Sequence, residues 1–210
     1  MITANRTVQI LLLYLFIANM GVSLFGPIFA VFITGSIAGA TLATAGFAVA
    51  LSSMTKSIIQ IPLARYLDKT PGENDEFYTL IGGSMLGTIY IGSLIFVNYP
   101  WQLYGLALVS GVADACLMAA YYALFSHHVD RTAQGLEWSL LSVIGLTASF
   151  ALGGALGGIL AEQIGFRHLF YIAASLNGIA TLLIILLYPR RKNLKKKKIT
   201  PTVSLKRGRV

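Results

Sequence analysis

Charged residues are scarce in this sequence, and their scarcity limits the kind of protein it can encode. Asp, Glu, Lys and Arg make up 11% of the 210 residues, whereas a soluble domain has about 25%. Hydrophobic residues make up 56%, and the mean hydropathy is +0.72. So few charges cannot cover the surface of a soluble domain. The composition therefore excludes a soluble domain and indicates that lipid surrounds much of the chain.

Signatures of common cofactor sites are also missing. Cys116 is the single cysteine, which excludes an intrachain disulfide. The sequence has no glycine-rich phosphate-binding loop that ends in lysine, so we expect no ATP hydrolysis. His127 and His128 have no further cluster of Cys, Asp or His beside them, so we place them at the membrane interface. We therefore expect neither a cofactor nor a metal.

Long apolar runs dominate what the sequence does contain. The first reads VQILLLYLFIANMGVSLFGPIFAVFI, and its continuous apolar character favours helices over the alternating strands of a barrel. Each run has about the 20 residues that a helix needs to cross the hydrocarbon core. The sequence therefore predicts an all-α membrane protein in which six transmembrane helices form one bundle over residues 1–188. The predicted spans are 8–33, 45–66, 78–97, 103–125, 138–160 and 169–187.

Basic residues are concentrated on one side of the predicted bundle. The opposite side carries Arg167 alone, and its other two loops have no charge. Because Lys and Arg mark cytoplasmic loops, we expect a multi-pass protein of the plasma (inner) membrane with both termini in the cytoplasm. The basic side comprises Arg6, Arg65, Lys69, Arg131 and the tail 189–210.

The tail 189–210 holds ten of the sixteen Lys and Arg residues. Its polar, lysine-rich composition is typical of disorder. We interpret it as a topology determinant that rests near anionic lipid headgroups. Nucleic-acid binding is not expected, because the basic run has no interleaved aromatic residues and no folded context.

Two ionisable residues lie deep within the predicted spans, Lys56 in the second and Asp114 in the fourth. At 1.5 Å per residue, each is about 15–17 Å from the cytoplasmic end of its span, near the midplane. Asn19 in the first span falls at the same depth. Ionisable residues inside a membrane are costly and are functional candidates by default. The predicted substrate or proton path contains Asn19, Lys56, Gln60, Asp114 and Tyr121.

Two other roles for Lys56 and Asp114 stay open from the sequence. They can form a structural ion pair that fixes helix packing, or Lys56 can extend its long stem toward the cytoplasm. A functional site is the hypothesis we follow, with Gln60 one turn from Lys56 on the same face.

Small residues in the fifth predicted span indicate close helix packing. Gly153 and Gly157 are four residues apart, as are Gly154 and Gly158, and this spacing lets helix backbones approach each other. In the first span, Pro27 removes a backbone hydrogen bond and predicts a bend.

Three motifs carry a resemblance to a known family. After the second span, ARYLDKTPGENDEF contains Asp68-Lys69, similar to a Gly-x-x-x-Asp-Arg/Lys motif. The glycines at 153–158 resemble Gly-Pro-x-x-Gly-Gly, and 165–170 resembles Gly-Trp-Arg-x-x-Phe. In order, spacing and sidedness, the match covers all six spans. The sequence resembles one half of a major facilitator superfamily transporter.

The resemblance implies a secondary transporter that moves a small solute by alternating access. It implies a cytoplasmic gate latch at Asp68 and Lys69. It also implies a cavity lined by the first and fourth helices, where Asn19 and Asp114 lie. The family has two six-helix halves around a cavity, so a homodimer or a second six-helix half is expected to complete it. Proton coupling through Asp114 is suggested. A lysine and a carboxylate fit anions, cations and zwitterions alike.

Other classes of membrane protein are alternatives to a transporter. One is a non-transporting half-size protein that only assembles with a partner. A membrane serine protease is disfavoured because Ser84 follows Gly82-Gly83 but all three histidines lie near helix ends. A channel is disfavoured by the lack of a filter motif. We expect no enzymatic activity.

Overall fold

A computed structural model describes residues 6–69 and 72–198, with side chains up to residue 186, and every regular element in it is helical. The predicted all-α membrane architecture is confirmed. The elements are α1 (Arg6–Ser23), a 3-10 turn (Gly26–Ile28), α2 (Phe29–Ser36), α3 (Leu42–Lys69), α4 (Asn74–Ser93), a 3-10 turn (Leu94–Phe96), α5 (Pro100–His128), α6 (Gln134–Leu140), a π-helix (Leu141–Ala148) and α7 (Ser149–Lys198).

Glycine and proline interrupt the first span where the sequence predicts a bend. Helix α1 ends at Ser23, and Gly26-Pro27-Ile28 form a 3-10 turn before α2 begins. Proline has no N–H to donate, so it is tolerated at the start of this turn and not within a continuous α-helix. Together α1, the turn and α2 form one candidate membrane span of 31 residues.

A backbone break at Gly165 divides α7. Its φ of 78° and ψ of 164° lie outside the helical region and in one that is essentially restricted to glycine. Without a break, the 53 residues from Gln134 to Leu186 would form a helix about 80 Å long, far more than a bilayer needs. The break lies in the short loop that the sequence predicts between the spans 138–160 and 169–187.

Contacts with the first span show that the chain reverses direction at Gly165. In the stretch before Gly165, later residues contact later residues of the first span, so this stretch runs parallel to the first span. In the stretch after Gly165, later residues contact earlier residues of the first span, so this stretch runs antiparallel to it. The pairs are Asn19 with Gly145 and Leu24 with Gly157 before the break, and Phe25 with Phe170 and Ala18 with Asn177 after it.

Helix packing forms a bundle in which α7 contacts α1 and α4, while α5 contacts α3 and α4. Large apolar side chains also cover the outside, among them Phe47 at 67% exposed and Ile58 at 70% exposed. Such a surface is unfavourable in water and suits a lipid environment.

Five helices in the described chain are long and apolar enough to cross a membrane. That number is one fewer than the six predicted, because the last stretch, 134–186, is counted as one despite the break at Gly165. Helix α7 continues to Lys198. The rest of the predicted tail, 199–210, lies outside the described residues, and its disorder stays a prediction.

Candidate functional site

Lys56 of α3 and Asp114 of α5 come together, although 57 residues separate them in the sequence. The Nζ of Lys56 is 4.0 Å from Oδ2 of Asp114. Each residue lies at the middle of its helix, about 20 Å from either end at 1.5 Å per residue. The two side chains are 33% and 51% exposed. The pair therefore lies near the mid-depth of the bundle but opens onto its surface.

A pocket with a volume of about 280 Å³ lies beside this pair. Asp114 contributes the carboxylate, and hydroxyl groups and aromatic rings make up much of the rest of the wall. Within the described residues, Lys56 does not belong to the lining, although it lies one helical turn beyond Ser52, which does. The pocket therefore presents a carboxylate, with the ammonium of Lys56 just outside its lining. Its polar and aromatic lining residues are Phe25, Phe29, Ser52, Ser53, Tyr90, Ser110 and Asp114.

A glycine explains why α3 and α5 approach closely enough to form the pair. A Cβ at Gly111 would lie 2.5 Å from the carbonyl oxygen of Ser52 and 2.6 Å from Cβ of Thr55. Only a residue without a side chain allows this approach. The hydroxyl of Ser52 also donates to that of Ser110 at 3.4 Å. Gly111 thus sets the separation at which Lys56 reaches Asp114.

Asn19 does not join this pair. Its Nδ2 donates to the carbonyl oxygen of Gly145 at 2.8 Å, which ties α1 to the π-helix. π-Helical turns occur frequently at functional sites. Asn19 also lines a second pocket of about 450 Å³, which is mostly apolar and includes Leu146, Thr147 and Phe150. Gly26 belongs to both pockets, so they are neighbours.

The two remaining residues of the predicted path differ in their surroundings. Gln60 is half-buried one turn beyond Lys56 on α3. Tyr121 is fully buried, and its hydroxyl donates to the carbonyl oxygen of Leu11 at 3.2 Å. Its ring lies against Tyr14 and Phe125. Tyr121 therefore has the environment of a core residue, and we leave it out of the path.

The residues of the predicted gate motif end α3. Asp68 and Lys69 occupy its last turn, and both are exposed. Lys69 at this end of a helix is favourable because the carbonyl ends of the peptide dipoles attract a cation. Their function as a latch stays a prediction.

The glycines of α7 lie at different distances from α1. A Cβ at Gly153 would lie 2.7 Å from Cβ of Ser23, and one at Gly157 would overlap the carbonyl oxygen of Leu24. Gly154 is near Pro27, while Gly158 has open space around its Cα. Two of the four glycines therefore allow the helices to touch.

A buried polar cluster joins α4 to the second part of α7, and the sequence analysis does not single it out. The hydroxyls of Ser84 and Thr181 are 2.6 Å apart, and Thr181 donates to the carbonyl oxygen of Asn177 at 2.9 Å. Asn177 donates in turn to the carbonyl oxygen of Ala18 at 3.3 Å. Asn177 is an amide side chain inside a predicted span, so the sequence could have indicated a polar contact there. Ser84 and Thr181 give no such indication, because serine and threonine are common in membrane helices.

The loop after α5 is fixed by an acidic residue outside the spans. Oδ1 of Asp130 accepts hydrogen bonds from the backbone and the hydroxyl of Thr132, at 3.0 and 2.9 Å. These bonds favour the charged form and hold the pKa of Asp130 below its usual range. Buried Glu137 accepts from the backbone N–H of Asp130 at 3.0 Å, which ties the loop to α6.

Comparison with known proteins identifies the family to which this helical bundle belongs. The sequence model of the Major Facilitator Superfamily matches residues 11–207. The chain belongs to the Major Facilitator Superfamily. It is a multi-pass membrane protein from a family of secondary transporters, and the resemblance seen in its motifs is confirmed.

A relative is a protein of Lactococcus lactis subsp. lactis (strain IL1403) described as a multi-drug resistance efflux pump PmrA homolog. It is 25% identical to this Major Facilitator Superfamily chain over 140 residues, which cover 67% of this chain and 33% of the relative. The chain thus spans about a third of the length of the relative that it matches.

Proposed function

We propose that this chain is a six-helix half of a secondary transporter that moves a small organic cation by alternating access. The observation that carries the proposal is the pocket beside α5, in which the carboxylate of Asp114 lies at mid-depth in a Major Facilitator Superfamily bundle. A carboxylate inside a membrane is costly and marks a pathway for a solute or ion.

The chemistry of the pocket favours a positively charged solute. Asp114 supplies a negative charge, and the faces of Phe25, Phe29 and Tyr90 attract cations through their ring quadrupoles. The serine hydroxyls on α3 and α5 can orient polar groups of the solute. An efflux pump among the relatives supports an organic molecule as the solute.

Six membrane crossings agree with the path of the chain. Four of the candidate spans cross once each, and the fifth turns back on itself at Gly165, as its parallel and antiparallel contacts with the first span indicate. Lys and Arg are concentrated on the side that holds Arg6, Lys69 and Arg131, which supports both termini in the cytoplasm of a cell-membrane protein.

A second half completes the site in this proposal. Asp114 and Lys56 are 51% and 33% exposed on the bundle, and charged groups at mid-depth do not face lipid. A facing wall therefore covers them, from a second copy of the chain or from another six-helix half. Proton coupling would use Asp114, whose carboxylate can exchange a proton for the cation.

The alternative is that this bundle assembles with a partner and transports nothing. It is favoured by the exposure of Asp114, since one bundle does not enclose a pathway. Transport by the reconstituted chain distinguishes the two functions, and crosslinking in native membranes identifies the partner in either.

The test is uptake of radiolabelled tetraphenylphosphonium into proteoliposomes, with and without a pH gradient. The proteoliposomes contain the full chain together with any partner half that crosslinking in native membranes identifies. We expect uptake that Asp114→Asn abolishes and that Asp75→Asn, a change outside the pocket, leaves intact. Uptake that is unaffected by Asp114→Asn contradicts the proposed site. The absence of uptake in membranes where crosslinking shows a complete assembly favours the non-transporting alternative.

A further inference from the structure

Lys56 and Asp114 differ in how they are placed relative to the pocket of about 280 Å³. Asp114 lines the pocket, whereas Lys56 approaches the same carboxylate from one turn along α3, outside the lining. Its ammonium group is carried by a flexible four-carbon stem, so it can leave the carboxylate without movement of the helix. The carboxylate therefore has a pocket on one side and a tethered cation on the other.

We propose that Lys56 is a resident counter-charge that competes with the cationic solute for Asp114. The inference rests on the proposed function, and it assigns Lys56 the regulation of that site. When the pocket is empty, the ammonium of Lys56 neutralises the carboxylate. When a solute cation enters, its positive group takes that place, and Lys56 withdraws along α3 toward half-buried Gln60.

The charge balance explains why competition is needed. Lys56 and Asp114 together carry no net charge, so a solute that binds beside an intact pair brings a second cation next to the ammonium of Lys56. If Lys56 withdraws, the solute pairs with Asp114 and the two cations are separated, while the ammonium can donate to the side-chain oxygen of Gln60. An empty carrier without Lys56 would have to reorient with an unpaired carboxylate inside the membrane, which is costly, or with a proton bound to Asp114. Lys56 therefore gives the empty site a second way, besides the proton, to change orientation.

If Lys56 competes with the solute, removing its charge strengthens solute binding, whereas a purely structural role for Lys56 does not predict stronger binding. The coupling of two competing groups is reciprocal, and coupling of this kind changes affinity about 5- to 150-fold. Removing the charge in Lys56→Met is expected to strengthen binding of tetraphenylphosphonium by a factor in that range. Lys56→Arg keeps a cation, so its affinity is expected to stay at or below that of the wild type.

The binding experiment uses the full chain in lipid nanodiscs, with tetraphenylphosphonium as the probe and Arg65→Met as the matched control. Arg65 is an exposed cation on the same helix, more than two turns from Lys56, so we expect no change there. Tighter binding by Lys56→Met supports the competition. Unchanged or weaker binding overturns it, while transport that still depends on Asp114 would leave the proposed function standing. If the wild type neither binds nor transports the cation, both are overturned.

A measurement on the wild type covers the case in which Lys56→Met does not fold. Limited labelling with an amine-reactive reagent, followed by mass spectrometry, gives the modification rate of Lys56. A cation that displaces Lys56 from Asp114 frees the ammonium, so tetraphenylphosphonium is expected to raise that rate relative to the lysines of the tail 189–210. A rate that is unchanged or lowered overturns the competition.

Discussion

Gly157 of α7 lies directly on the backbone of Leu24, at the point where α1 gives way to the 3-10 turn. A Cβ at Gly157 would overlap the carbonyl oxygen and carbonyl carbon of Leu24, and both are backbone atoms. Gly158, the next residue, has no other atom within 4 Å of an added Cβ. Two neighbouring glycines therefore have opposite tolerance for a side chain.

This difference predicts a matched pair of stability effects. Gly157→Ala forces α1 and α7 apart, because a backbone atom cannot move aside as a flexible side chain can. Overpacking of this kind costs about 1–3 kcal/mol. Gly158→Ala is expected to be neutral or slightly stabilising, since alanine has the higher helix propensity. Thermal unfolding in mild detergent measures both, and equal melting temperatures for the two variants would contradict the packing.

The second prediction concerns the energetic coupling of Lys56 and Asp114. Removal of either charge leaves the other unpaired, so Lys56→Met and Asp114→Asn are each expected to lower stability. Coupled neighbours show interaction energies of about 0.5–3 kcal/mol, and the 33% and 51% exposure of these side chains favours the low end. The double variant is expected to be more stable than the sum of the single effects predicts.

Melting temperatures of the three variants and the wild type complete this cycle. Effects that add within error would exclude the pair. The double variant is not expected to recover cation uptake, because Asp114 also contacts the solute in the proposed function.

The depth of a residue within a helix could be read from the sequence, whereas the direction of its side chain could not. Counting residues from the helix ends placed Lys56 and Asp114 at one level, and the structure brings them to 4.0 Å. Tyr121 was assigned to the same path but points into the core. In a membrane protein both the lipid-facing and the core-facing sides of a helix are apolar, so periodicity does not separate them.

The number of spans differs between the sequence, which predicts six, and the structure, which has five long apolar helices in its described residues. The family and the all-helical architecture followed from composition and three motifs. The turn between the predicted spans 138–160 and 169–187 contains Gly165, and this glycine's backbone reverses the chain so tightly that no loop interrupts the helical pattern. The two spans are therefore distinct as apolar runs in the sequence, although the structure joins them in the one helix α7.

A topology prediction follows from the reversal at Gly165. Reporters fused after Gly72 are expected to be cytoplasmic, and reporters fused after Gly165 are expected to be on the opposite side. A reporter after Val210 is expected to be cytoplasmic again, because one more span follows the turn. A fusion after Gly165 that reads as cytoplasmic would contradict six crossings, and so would an external signal after Val210.

The last prediction concerns the buried hydroxyl pair of Ser84 and Thr181. Thr181 donates its proton to the carbonyl oxygen of Asn177. The proton between the two hydroxyls, whose oxygens are 2.6 Å apart, therefore comes from Ser84. Thr181→Val keeps the shape of the side chain but removes the acceptor, so the buried hydroxyl of Ser84 loses this partner and keeps only the nearby hydroxyl of Tyr14. Loss of a buried hydrogen-bond partner costs about 1–3 kcal/mol, and we expect a loss at the lower end of that range.

Two controls separate the hydrogen bond from packing. Ser84→Ala combined with Thr181→Val removes both partners, so the double variant is expected to be more stable than the sum of the single losses. Ser139→Ala removes an exposed hydroxyl that bonds only within its own helix, to the carbonyl oxygen of Gly135, and is expected to have little effect. Thermal unfolding of all four variants in one detergent decides the matter. A loss in Thr181→Val no larger than that in Ser139→Ala would show that the pair contributes nothing. A measurable loss with recovery in the double variant would place a stabilising hydrogen bond between α4 and the second part of α7.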